Sequence, residues 1–138
     1  MNFKEIHIGQ LIENGVKESK IDILRITNFL RCSKSDVEKM YKEECINTDL
    51  LLRWSKLLEY DFFRLYSQHL ILYAPPTRNN KTESKILPKF RKNLYTTEII
   101  DFILSEISTG EMTRKEVLER YQIPKTTLNK WMQKKMKK

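Results

Sequence analysis

With 138 residues, 40% of them hydrophobic, the chain is long enough for one ordinary domain or two very small ones. Three glycines and four prolines argue against a turn-rich β architecture; no run nears the roughly 18 apolar residues of a membrane span, and Met1-Asn2-Phe3-Lys4-Glu5 lacks the apolar core of a signal peptide. The formal net charge of +8 is unevenly placed, because residues 1 to 73 hold eleven basic and eleven acidic side chains while residues 74 to 138 hold fifteen and seven.

A neutral half joined to a basic half predicts two roles, the basic one facing a polyanion. Cys32 and Cys45 form no CxxC pair and gather no ligand cluster with His7 and His69. The expectation is free thiols in the cytosol, with no structural metal.

Five helices are expected over residues 1 to 73. The first spans about Phe3 to Ser19, with Ile8, Leu11, Ile12 and Val16 at helical spacing. The second, about Asp22 to Arg31, has Ile23, Ile26, Phe29 and Leu30 as its inner positions. After the turn at Cys32-Ser33 a third helix begins, where Ser33 and Asp36 have capping-box spacing and Val37, Met40 and Tyr41 form the inner stripe. The fourth starts after Asn47 or Thr48 and carries Leu51, Leu52, Trp54, Ser55 and Leu58. The fifth runs from Asp61 to about Tyr73 and is rich in aromatic rings: Phe62, Phe63, Tyr66 and Tyr73.

Residues 74 to 93 read as a linker. They open with Pro75-Pro76, contain Pro88, lack helical periodicity, and place Arg78, Lys81, Lys85, Lys89, Arg91 and Lys92 against the lone acid Glu83. As a flexible coil such a segment spans roughly 25 Å, and about 60 Å when extended. Either length is comparable to the ~34 Å between successive major grooves on one DNA face.

Three helices are expected over residues 94 to 138. Thr96 or Thr97 caps the first, whose stripe is Ile99/Ile100, Ile103/Leu104 and Ile107 and which Gly110 ends. Thr113-Arg114-Lys115-Glu116 is a full capping box opening the second, with Val117, Leu118 and Tyr121 apolar. Gln122-Ile123-Pro124 makes a turn, since Pro124 cannot extend the preceding helix. The last helix runs from Lys125 with Leu128, Trp131 and Met132 at i, i+3, i+4.

A support helix, a tight turn and a second helix with one packed face are the parts of a DNA-reading helix-turn-helix. The unpacked surface of the last helix offers Lys125, Thr126, Thr127, Asn129, Lys130, Gln133 and Lys134, with Arg114 at the head of the support helix. Asn and Gln pair with adenine, Lys with guanine or phosphate, and Thr with phosphate or a thymine methyl. No acid follows Glu119 to repel phosphate.

The run Arg120-Tyr121-Gln122-Ile123 followed by Thr126-Thr127-Leu128-Asn129-Lys130-Trp131 resembles the helix-turn-helix of insertion-sequence transposase small subunits. Gln122 stands where many such turns have Gly, and Pro124 where the usual cap is Ser. The resemblance implies a DNA-binding module, not transposase activity. Residues Ile21 to Lys42 and Thr48 to Phe63 resemble the five-helix lambda-repressor-like (Xre) family, departing from it at Arg31, where the turn usually has Gly, at Thr27, usually a small Ala, and at Asp36 and Glu38, acids on the helix that would be the recognition helix. That resemblance implies DNA contacts at Lys34, Ser35, Glu38, Lys39 and Lys42, although the module is neutral overall. It equally admits a dimerisation or partner role, with an apolar surface over residues 48 to 73.

No Gly-rich phosphate loop is possible among three glycines, and no nucleophile, base and orienting group lie together. The sequence therefore predicts a non-enzymatic, all-α chain of two helix-turn-helix modules joined by a basic Pro-containing linker that also contributes Lys89, Arg91 and Lys92 to DNA. The expected function is sequence-specific binding of double-stranded DNA as a transcriptional regulator on a bacterial nucleoid, with no cofactor, metal or small-molecule ligand. Two other readings stand beside it: the DNA-targeting subunit of a mobile element working with a separate catalytic protein, and an adaptor that dimerises through its first half.

Overall fold

A computed structural model describes residues 2–74, 86–88 and 95–137. The fold is all-α: eight helices, α1 (Ile8–Ser19), α2 (Ile23–Leu30), α3 (Lys34–Lys42), α4 (Thr48–Leu58), α5 (Phe63–Tyr73), α6 (Thr97–Thr109), α7 (Arg114–Tyr121) and α8 (Lys125–Met136), with no strand among the described residues. None of these helices is long and apolar enough to cross a membrane. Of the expected linker, 74 to 93, only Ala74 and residues 86 to 88 are among the described residues.

The chain divides into two compact units, Met1–Ser67 and Gln68–Lys138, with the boundary inside α5. In the first, α1 and α2 each pack on both α3 and α4. Ile8, Ile12, Ile26, Val37 and Trp54 are fully buried there, and Phe3, Leu30, Leu51, Leu57, Phe62 and Leu65 complete the core. The Tyr41 ring lies 6.2 Å from that of Trp54. Trp54 fills the centre through its rings alone, because its Nε1 is buried without a hydrogen-bond partner.

The first helix starts at Ile8, later than its periodicity suggests. Tertiary contacts fix that start. The Ile8 and Gly9 N–H groups donate to the Glu44 and Glu43 carbonyls at 3.0 and 3.1 Å, so the open end of α1 closes on the chain leaving α3. His7 caps the helix by accepting from the Gln10 N–H at Nδ1. Gly9 is required by this approach, since a Cβ there would collide with the carbonyl oxygens of Met40, Tyr41 and Glu43.

In the second unit α6 packs on both α7 and α8. Ile99, Ile103, Leu104, Val117, Tyr121, Ile123 and Leu128 are buried, together with Ile71 and Leu72 from the end of α5. The Tyr73 ring meets that of Phe102 edge-on at 6.3 Å. Gly110 ends α6 in the left-handed conformation at φ 80°, as its type at that position predicts. Thr96 holds the N-cap position of α6 but makes no capping bond, and its hydroxyl is buried without a partner.

Several inner positions differ from the sequence expectation. Phe29 and Leu52 are each 43% exposed, whereas Leu57 and Ile123, which no helical stripe singles out, are buried. Trp131 and Met132 are half-buried, Trp131 resting edge-on against Tyr95 at 5.0 Å between ring centres.

Candidate nucleic-acid interface

The second hairpin is built locally from its ends. Thr113 Oγ1 accepts from the Glu116 N–H at 3.2 Å while Glu116 Oε2 accepts from the Thr113 N–H at 2.7 Å, which satisfies the first donors of α7. These hydrogen bonds, the backbone one foremost, hold the Glu116 carboxyl below the usual carboxylate range. At its far end Gln122 takes φ 53°, and its side-chain amide donates to the Glu119 carbonyl at 2.6 Å. Ile123 drops into the core, and Pro124 starts α8 by accepting from the Thr127 and Leu128 N–H groups.

Once Leu128 is buried, helical geometry decides what α8 shows. Thr126, Asn129, Lys130 and Gln133, at i, i+3, i+4 and i+7, form one exposed stripe opposite Leu128. Lys125 and Lys134 are exposed on its flanks, and Thr127 is half-buried. All seven candidates on α8 thus share one helix, six of them exposed. Arg114 is exposed in the first turn of α7. Lys89, Arg91 and Lys92 lie outside the described residues.

Charge on this face is of one sign. α8 carries four lysines and no acid. The only ion pairs between described residues are Lys17–Glu13 at 2.8 Å and Arg64–Asp61 at 3.6 Å, so no described carboxylate engages the α8 lysines. The described acids of the second unit sit on α6, α7 and the turn between them. One of these, Glu106, is raised above the usual carboxylate range by burial and then by its neighbour Glu111, against the lowering influence of Arg120.

The first unit contains a hairpin of the same register. α2 and α7 are both eight residues long, each is followed by a left-handed residue (Arg31 at φ 55°, Gln122 at φ 53°), and after two further residues α3 and α8 begin. The buried Ile26, Leu30 and Val37 correspond one to one with Val117, Tyr121 and Leu128. In this register the exposed stripe of α3 is Ser35, Glu38, Lys39 and Lys42, with Lys34 exposed in its first turn. The correspondence is absent from a reading of each half by itself. The spacing that carries it is present in the sequence, but the hydrophobic residues differ in type between the two hairpins.

The α2–α3 turn is tied down by backbone bonds from Arg31 and Cys32 to the Thr27 carbonyl and by Arg53, whose guanidinium donates to the Phe29 carbonyl at 2.7 Å. Burial and then the nearby Asp36 push the half-buried Cys32 thiol up, while Arg53 pulls it down. Ser33 closes the capping box of α3 with Asp36. Both cysteines are free thiols, and no cluster of metal-ligating side chains occurs among the described residues.

On α5, Phe62 at its entrance and Leu65 go into the core, while Leu70 is 58% and Tyr66 36% exposed. Elsewhere in the first unit an open groove of about 480 Å³ is floored by Leu11, Gly15, Leu58, Phe62 and Leu65.

Against known proteins, the chain matches no family model, no curated protein and no solved structure.

Proposed function

We propose that the protein binds double-stranded DNA sequence-specifically through α8 and acts as a transcriptional regulator at the bacterial nucleoid. The observation that carries this reading is the exposed face of α8, where Thr126, Asn129, Lys130 and Gln133 form a stripe flanked by Lys125 and Lys134 and no carboxylate intervenes. Lysines alone would suit any polyanion. The interspersed Asn129 and Gln133 are the side chains that offer a donor and an acceptor together, which is what an adenine edge requires. α7 then serves as the support helix, with Arg114 placed for a phosphate. The exposed Tyr66 and Leu70 on α5 support a homodimer through residues 48 to 73.

The test is duplex binding by the full chain across a salt series. Replacing Lys125, Lys130 and Lys134 together by Ala should weaken binding to every duplex and flatten the salt dependence by about one unit of slope for each phosphate no longer neutralised. An unchanged slope removes α8 from the interface. Capture of a catalytic transposase by the full chain would move the reading to the targeting subunit of a mobile element.

A further inference from the structure

We propose that the groove between α1 and the α4–α5 turn of the first unit is a binding site for a small aromatic amine. The inference stands apart from the DNA-binding reading. It adds a ligand of which the sequence shows no sign, because the lining is gathered from separate elements.

Gly15 carries the argument. It lies in the interior of α1, where glycine is destabilising relative to alanine. Packing demands the other glycine of this helix, Gly9, where a Cβ would collide with three backbone carbonyl oxygens. It makes no such demand at Gly15. A Cβ there would meet Leu58 Cδ1 at 3.2 Å and Phe62 Cζ at 4.0 Å, both of them side-chain tips rather than backbone. What the missing Cβ keeps open is the groove, which Gly15, Leu58 and Phe62 line together. Its volume of about 480 Å³ falls within the roughly 300–1,000 Å³ usual for small-molecule sites.

The walls define the ligand. The Tyr60 ring, 50% exposed, stands edge-on to the buried Phe62 ring at 4.8 Å between centres. With Leu11, Leu58 and Leu65 these rings make an apolar trough with an aromatic side, which suits a flat ring in offset or edge-on contact. The α1 side of the groove is polar. Asn14 and Glu18 are both exposed and lie one helical turn apart. The Ser19 hydroxyl is engaged within the helix, donating toward the Gly15 and Val16 carbonyls at 2.7 and 3.2 Å. Glu18 is the one charged residue of the lining, and no described cation pairs with it, since the adjacent Lys17 is held by Glu13 at 2.8 Å. A single carboxylate at the edge of an apolar trough attracts an ammonium carried on an aromatic body and repels a carboxylate carried on the same body.

The experiment titrates the isotope-labelled full chain with tryptamine and, separately, with indole-3-propionate, following backbone amide NMR signals. Tryptamine should shift Gly15, Glu18, Leu58 and Phe62 and bind about tenfold more tightly than the carboxylate. Glu18→Gln should weaken tryptamine by about fivefold, the upper end for an exposed ion pair, and leave indole-3-propionate no weaker. Gly15→Ala should weaken both ligands while its urea midpoint stays level or rises. Equal affinity for the two ligands, or no shift at these residues, overturns the site. A lowered midpoint for Gly15→Ala also overturns it, by showing that packing alone demands the glycine. Shifts at Gly15 and Leu58 that grow with protein concentration in the absence of amine would make a second copy the occupant and overturn it as well.

Discussion

Among the described residues four side chains other than glycine hold left-handed backbone: Lys20, Arg31, Glu59 and Gln122, each at the C-terminal end of a helix. A Cβ in that region costs on the order of 1 kcal/mol, which glycine avoids. Arg31 and Gln122 occupy corresponding places in the two hairpins, yet they should not respond equally to replacement. The Arg31 turn is fastened by backbone bonds to the Thr27 carbonyl that survive any side-chain change. Gln122 also gives its amide to the Glu119 carbonyl. Arg31→Gly is therefore expected to stabilise the first unit by roughly 1 kcal/mol, and Gln122→Gly to stabilise the second by less. Urea titration reads both as a higher midpoint with an unchanged slope. A lower midpoint for Arg31→Gly would show that the arginine side chain holds the turn.

The capping boxes of α3 and α7 show how a helix start answers to pH. The carboxylates of Asp36 and Glu116 are both held below the ordinary carboxylate range, Asp36 by the Ser33 hydroxyl and then its N–H, Glu116 by the Thr113 N–H and then its hydroxyl. A carboxyl depressed on folding lends stability that is complete above its unfolded pKa and is lost as pH falls through the folded one. Glu116→Gln should therefore lower stability near neutral pH and flatten its decline in the acid range, as thermal unfolding at pH 7 and below pH 4 would record. Equal acid sensitivity of the variant and wild type would remove the box from that account. Such boxes are legible in a sequence because cap and carboxylate lie three residues apart. All eight helices were legible from periodicity for the same reason: the information is local. What was not legible depends on partners distant in the chain. The start of α1 is set by the carbonyls of Glu43 and Glu44, the burial of Ile123 by a turn that no helical period covers, and the exposure of Phe29 and Leu52 by which neighbours each helix meets. The outward face of α8 followed from Leu128, Trp131 and Met132 at i, i+3 and i+4, of which Leu128 is buried and the other two half-buried.

At the scale of the whole molecule the division of charge meets the division of apolar surface. The net charge of +8 belongs to residues 74 to 138, and residues 1 to 73 balance to zero. Two copies meeting through the neutral half would face little mutual repulsion, and under the proposed function each would keep a basic module for DNA. α5 offers a contact for that meeting. Phe63, Tyr66 and Leu70 lie at i, i+3 and i+7 on the side away from the buried Leu65, and from Leu65 to Tyr73 the helix has no formally charged residue. Contiguous exposed apolar side chains on one helix mark a self-association surface more readily than a polar face does. Pairing would make the second DNA contact intramolecular and raise avidity by about 10²–10⁴. Leu70→Glu sets a charge at the most exposed apolar position of α5 without touching Leu65 or Leu72. Light scattering at micromolar concentration should give twice the chain mass for wild type and the chain mass for Leu70→Glu, whose DNA affinity should fall while its base preference is kept. A wild-type mass of one chain rules the pairing out, and a variant that stays dimeric moves the interface off α5.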